Sequence, residues 1–168
     1  VFMWSIGNEV EEQKSPDGAN VAQFLTDICH REDRTRPTTA GFNVYPQAEN
    51  NGLYDAVDLV GLNYKPHLYK KLHEKYPHKI FYGSETESCI STRGVYKLAS
   101  KRDDLTVSDY ALSSPPWAYY PEREFIAQRD GFVFGEYVWT GFDYMGEPTP
   151  YYSEWPARSS YFGIVDLS

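Results

Sequence analysis

Short apolar runs alternate with amphipathic stretches along this chain. Val1 to Ile6 is almost continuously hydrophobic and ends at Gly7-Asn8-Glu9. Such a run fits a strand of a parallel sheet covered on both faces. After a polar loop with Pro16, Asp17 and Gly18, a helix is expected from about Asn20 to Asp33. There Val21, Phe24, Leu25, Ile28 and Cys29 recur at helical spacing as one apolar stripe. Pro37 blocks further helix. Thr38-Thr39-Ala40 reads as a weak strand, followed by Gly41-Phe42-Asn43.

The pattern then repeats. Asp58 to Leu62 is a clearer strand ending in Asn63-Tyr64, and His67 to Tyr76 is a short helix with Leu68, Leu72 and Tyr76 on one face. Lys79 to Gly83 is the next strand, running into Ser84-Glu85. Ser88 to Pro121, with Pro115-Pro116 and several aromatics, reads as an irregular loop beside a site. A helix with Pro at its start covers Pro121 to Arg129. Phe132 to Val138 is a strongly apolar strand ending in Trp139; Thr140 to Arg158 is a long loop, and Tyr161 to Leu167 a closing segment. Strands alternating with helices predict an α/β fold with a parallel sheet.

In parallel α/β folds the carboxyl ends of the strands form the active rim. Glu9, Asn43, Asn63-Tyr64, Glu85 and Trp139 all fall at predicted strand ends. Two carboxylates on one rim are the equipment of glycoside hydrolysis, in which one gives a proton and the other attacks the sugar. Glu9, with Asn8 beside it, is the candidate general acid, which must hold its proton near neutral pH. Glu85 is the candidate nucleophile, with Tyr64 as its hydrogen-bond donor; Glu87, two residues on, is the rival. Glu85 is preferred because it follows the apolar run immediately. Trp139 would floor a sugar site, and Asn43, His67, Asp143, Glu147 and Arg158 are candidates for sugar hydroxyls.

At 168 residues the chain has the length of one domain and can bury a core. Its net charge of -8 argues against a nucleic-acid partner. No apolar run approaches the length of a membrane span, so no membrane partner is expected. The opening at Val1, already inside an apolar run and without an initiating Met, reads as part of a longer chain. Aromatic residues make up 17%, with 15 Tyr and 4 Trp, which suits stacking on the apolar face of a sugar ring. Two cysteines set no disulfide framework: Cys29 falls on a helix face, and Cys89 follows the Glu85 segment. No ligand cluster calls for a metal, and the two-carboxylate chemistry needs no cofactor.

Trp4-Ser5-Ile6-Gly7-Asn8-Glu9 resembles the acid/base motif of glycoside hydrolase family 2, which holds β-galactosidases, β-glucuronidases and β-mannosidases. Val138-Trp139-Thr140-Gly141-Phe142-Asp143-Tyr144, with Gly146-Glu147-Pro148-Thr149-Pro150-Tyr151, is similar to the last barrel strand and loop of bacterial β-galactosidases of that family. Arg158-Ser159-Ser160-Tyr161-Phe162-Gly163-Ile164-Val165-Asp166 continues the likeness.

The resemblance implies a partial (β/α)8 TIM barrel holding about strands four to eight. Residues 1–168 would then be one domain, the C-terminal portion of a glycosidase catalytic barrel. It implies that Glu9 is the acid/base and Glu85 the nucleophile. Asn8 would bind the sugar 2-hydroxyl, Tyr64 would hydrogen-bond the nucleophile, and Trp139 would line the non-reducing subsite; Asn63, Asp143 and Glu147 join this substrate-binding set. Members often carry a cis peptide after this Trp, here Trp139-Thr140. The expected activity is that of a retaining exo-β-glycosidase, first a β-galactosidase, acting on a β-linked oligosaccharide or glycoside. A β-glucuronidase or β-mannosidase is the alternative, with Arg93 or Arg158 as the cation glucuronate would need. Thr86 departs from the family pattern, where many members place Tyr after the nucleophile. With the early strands absent, a non-catalytic carbohydrate-binding piece is the other reading, and the remainder of the parent chain is the expected partner.

Overall fold

The computed structural model describes residues 1–88, 90–91, 112–113, 117–118, 121–144 and 163–165. In chain order its elements are β1 (Trp4–Asn8), α1 (Gly18–Glu32), β2 (Thr38–Phe42), α2 (Gln47–Asn50), β3 (Leu59–Asn63), α3 (Tyr69–Lys75), β4 (Ile80–Glu87), β5 (Ile90–Ser91), β6 (Leu112–Ser113), α4 (Pro121–Ala127) and β7 (Val133–Trp139). The chain divides into two compact units, residues 1–85 with 125–136, and residues 86–124 with 137–168.

The first unit is built on a five-stranded sheet in the order β1-β2-β3-β4-β7, of the α/β class expected. β1, β2, β3 and β4 pair in parallel, each with the next. Every residue of β2 and β3 is buried, as central strands covered on both faces should be. β1 and β7 mix exposed and half-buried residues, with none fully buried. The core gathers Phe42, Val60, Leu62, Phe81, Leu72 and Tyr54 with their neighbours. Each such side chain contributes ~1.5–3 kcal/mol on leaving water. The sheet curls far enough for Phe2, just before β1, to stack on Phe134 of β7 with ring centroids 5.5 Å apart.

Helix α1 turns a different face to the sheet than its apolar stripe predicts. Gly18, Ala22 and Thr26 are buried, while Val21 and Phe24 are 42% and 65% exposed. Small residues win the contact face because they bring the helix close enough for Thr26 to donate from Oγ1 to the Ala56 carbonyl at 2.8 Å. Cys29, expected as a buried thiol, is half-buried and free. The helix expected from His67 opens as a 3-10 turn, Pro66–Leu68, before α3.

Two register slips matter for function. Ser5 pairs with Thr39 but Asn8 with Gly41, so β1 carries one residue more than β2 across that interval. Leu62 pairs with Gly83 but Asn63 with Glu85, leaving Ser84 as the extra residue on β4. Such bulges bend a strand and re-aim its side chains. β4 runs to Glu87, so Glu85 lies inside the strand rather than beyond the end expected at Gly83.

In the second unit, β5 and β6 form a short antiparallel ladder with Ile90 opposite Ser113, inside the stretch expected to be irregular. Thr86 Oγ1 donates to the Tyr137 carbonyl at 3.4 Å, and Phe142 bridges Val165 in parallel. The Trp139–Thr140 peptide is cis. Among the described residues no helix is long and apolar enough to cross a membrane.

Candidate active site

The ends of β1, β3 and β4 meet in one hydrogen-bond network. Asn63, the last residue of β3, is fully buried. Its Nδ2 donates to Asn8 Oδ1 at 2.9 Å, to Glu9 Oε1 at 2.9 Å and, more weakly, to Glu85 Oε2 at 3.4 Å. Glu9 Oε1 and Glu85 Oε2 therefore cannot be farther apart than the sum of the last two distances.

Glu85 is the better held of the two. Tyr64 Oη donates to its Oε1 at 2.6 Å and Asn8 Nδ2 to its Oε2 at 3.3 Å. Desolvation raises the Glu85 carboxyl above its ordinary value, the Tyr64 hydrogen bond opposes that, the Glu9 charge adds to it, and the Asn8 hydrogen bond opposes it. The net direction is upward. Asn8 and Glu9 are both exposed, so the acidic rim is open to solvent on the β1 side.

Two of these residues have left-handed backbones, Glu9 with φ 51° and Tyr64 with φ 57°. Away from glycine that conformation costs ~1–2 kcal/mol per residue, and it concentrates where side chains must be aimed off a strand end. The Glu9 amide donates to the Gly41 carbonyl at 2.9 Å, and the Tyr64 amide to the Glu85 carbonyl at 3.0 Å, so both turned residues stay pinned to the neighbouring strand. Lys65 folds its ammonium back to the Asn63 carbonyl at 3.4 Å; desolvation lowers its pKa while the nearby Glu9 charge opposes the shift.

The remaining expected residues are placed differently. Asn43 is tied to buried Gln13, which donates to its Oδ1 at 2.9 Å and accepts its amide N–H. His67 is exposed in the 3-10 turn. Trp139, 37% exposed, meets Tyr144 edge-on with centroids 6.1 Å apart. Asp143 is buried, and its Oδ1 accepts the Gly163 amide at 2.9 Å. Glu87 ends β4 with φ 65°. Glu147, Arg93, Arg158 and Cys89 lie outside the described residues.

Sequence reasoning missed Ser84 and the glycines under the network. Ser84 Oγ donates to Asn63 Oδ1 at 2.5 Å. A Cβ on Gly41 would lie 2.2 Å from Asn8 Oδ1, and one on Gly61 would lie 2.5 Å from Ser84 Oγ. The available signal was glycine at the paired positions 41 and 61 of β2 and β3. Among the described residues no three His, Cys, Asp or Glu gather as metal ligands.

The chain belongs to glycoside hydrolase family 2. All of it aligns, at 38% identity over 215 residues, with the β-galactosidase BoGH2A of Bacteroides ovatus. The chain spans 25% of that relative's length. A glycosyl hydrolase family 2 member from Bacteroides cellulosilyticus superposes with a TM-score of 0.61 at 26% identity, over 87% of this chain and 15% of its own. The β-glucuronidase of Bacteroides uniformis gives 0.68 at 18% identity, over 98% of this chain and 21% of its own, a likeness of fold alone. No protein-family profile matches the chain.

Proposed function

We propose that this chain carries the two catalytic carboxylates of a retaining exo-β-glycosidase, and that the parent enzyme is a β-galactosidase. The observation that carries the reading is the single amide nitrogen of Asn63 that donates to both Glu9 and Glu85. It holds Glu9 Oε1 and Glu85 Oε2 within reach of one nitrogen, which supports their acting as a pair on one glycosidic bond, and the retaining course rests on the family likeness. The choice of galactose rests on likeness to the Bacteroides ovatus enzyme. The contact of Phe2 with Phe134 across the curled sheet supports its being part of a (β/α)8 barrel, which the rest of the parent chain would complete against β1 and β7.

In this mechanism Glu9 protonates the glycosidic oxygen as Glu85 attacks the anomeric carbon. The bond to the leaving sugar breaks, and an ester forms between the Glu85 carboxylate and the glycosyl group. Glu9, now ionised, takes a proton from water, whose oxygen displaces Glu85 with a second inversion. Tyr64 and Asn8 hold Glu85 in its attacking orientation. Asn8, beside the acid, is the group proposed to meet the sugar 2-hydroxyl. No step requires a metal or cofactor.

The test is Glu85→Gln in the full-length parent, assayed on aryl β-galactosides together with the stereochemistry of the wild-type product. Turnover should disappear in the variant, and the first wild-type product should be the β-anomer. Retained turnover moves the nucleophile to Glu87, and an α-anomer as first product refutes double displacement.

A further inference from the structure

Asn63 was expected among the sugar-binding residues, but its buried amide is engaged by protein groups on both ends. We propose that Ser84 and Asn63 form a positioning pair that fixes the two carboxylates relative to each other. This rests on the roles assigned above to Glu9 and Glu85.

The amide can point only one way. Its Nδ2 faces three oxygens, on Asn8, Glu9 and Glu85, whereas its Oδ1 faces the Ser84 hydroxyl. Reversed, the amide oxygen would lie against two carboxylates and a carbonyl with no hydrogen between them. Ser84 completes the correct orientation by donating to Oδ1 at 2.5 Å. Without that donor a fully buried carbonyl oxygen loses its side-chain partner. Donation into Oδ1 also polarises the amide and strengthens its N–H donors, so Ser84 acts on both carboxylates through Asn63.

The backbone is arranged to allow this. In a regular strand Ser84 and Glu85 would point to opposite faces. The bulge that leaves Ser84 unpaired brings both side chains into one network. The glycines clear the space: a Cβ at Gly61 would lie 2.5 Å from Ser84 Oγ and 2.6 Å from Ser84 Cβ, and one at Gly41 would lie 2.9 Å from Asn63 Oδ1. Around the pair the described charged groups are Glu9 after β1, Glu85 on β4 and Lys65 after β3.

The test uses Ser84→Ala and Gly61→Ala in the full-length enzyme, with kcat, KM and the pH dependence of kcat/KM measured for each. Gly61→Ala displaces Ser84 without removing its hydroxyl and also presses on the Ala40 carbonyl, 2.7 Å from the added Cβ, so its Tm is measured beside its kinetics. Both variants should lose about tenfold or more in kcat while KM stays within about twofold, the signature of geometry lost in the transition state. The acid limb of kcat/KM should move to higher pH, because Asn63 donates less well to ionised Glu85; a purely structural role would not move that limb. Folded variants with wild-type kcat and an unmoved acid limb overturn the proposal. So does a Ser84→Ala that fails to fold beside a Gly61→Ala with wild-type kcat. Glu85→Gln run in parallel separates the two failures: turnover retained there refutes the nucleophile, whereas turnover abolished there with an unaffected Ser84→Ala refutes only the positioning pair.

Discussion

Gly41→Ala in the parent enzyme should separate activity from stability. Gly41 touches no reacting group in the proposed mechanism; it sits on β2 beneath the network. An added Cβ would lie 2.2 Å from Asn8 Oδ1, 2.9 Å from Asn63 Oδ1 and 3.2 Å from Ser84 Oγ. Ordinary contact lies near ~3.5 Å, so the Asn8 amide must retreat by roughly 1 Å. Asn8 is exposed and can give way, but the buried Asn63 amide must shift too, so the fold should lose the ~1–3 kcal/mol typical of overpacking. Activity should suffer far more. Retreat of Asn8 breaks the hydrogen bond it receives from Asn63 and the one it gives Glu85. A misplacement of ~1 Å at a reacting group costs on the order of 100-fold in rate. Steady-state kinetics beside thermal denaturation decide the matter. A Gly41→Ala enzyme with unchanged kcat/KM would refute the claim that Asn8 and Asn63 position Glu85, and a collapse of Tm would show that Asn8 cannot yield as argued.

Other outcomes follow from the same contacts. Tyr64→Phe removes the 2.6 Å donor to Glu85, a charge-assisted bond of the ~1.5–3 kcal/mol class, and should move the acid limb of kcat/KM to higher pH with a kcat loss of about tenfold; an unmoved limb would detach Tyr64 from Glu85. Asp58→Ala should lower Tm at neutral pH by an amount worth about 1 kcal/mol after allowance for solvent, because its Oδ2 takes the Thr38 amide at 2.7 Å and the His30 ring at 2.7 Å. Burial pushes Asp58 up, but the Thr38 and His30 contacts outweigh it and lower its pKa. Its stabilisation is therefore present above the ordinary carboxylate range and lost as pH falls, and melts of wild type and variant should converge in acid. The isolated chain of 168 residues should self-associate and show no turnover, since Val1, Phe2 and Phe134 are 77%, 62% and 47% exposed near the sheet edges. A monodisperse, active preparation on size exclusion would contradict that expectation.

β1, β3 and β4 were legible because each contains a short apolar run leading into polar residues, and those endings supplied Asn8, Glu9, Asn63, Tyr64 and Glu85 together. The helix face was not. A 3.6-residue period in Val21, Phe24, Leu25 and Ile28 ranks side chains by apolarity, whereas contact with a sheet also selects for smallness, which favoured Ala22 and Thr26. Ser84 escaped notice for a related reason. Strict alternation assigns adjacent residues to opposite faces, and only a register slip against β3, invisible in the sequence of β4 alone, brings Ser84 into the Glu85 network. Asn43 and His67 make no recorded contact with that network: Gln13 holds the first, and the second is exposed in a turn between buried Pro66 and Leu68.

The raised Glu85 carboxyl connects these contacts to a tension between stability and function. Desolvation and the Glu9 charge both disfavour its ionised form, although Tyr64 and Asn8 donate to it. A carboxyl whose folded pKa exceeds its unfolded one favours the fold most when protonated. That contribution is complete below the unfolded value and is lost as pH rises through the folded one. At neutral pH, where the proposed nucleophile must be charged, the site therefore works against the fold. Glu85→Gln, neutral at every pH, should melt higher than wild type near pH 7, with the gap closing in acid. The gain should be modest, because Glu85 is only half-buried and solvent screens much of the repulsion. A variant that is inactive yet no more stable at neutral pH would mean that Tyr64, Asn8 and Asn63 already offset the full cost of the charge.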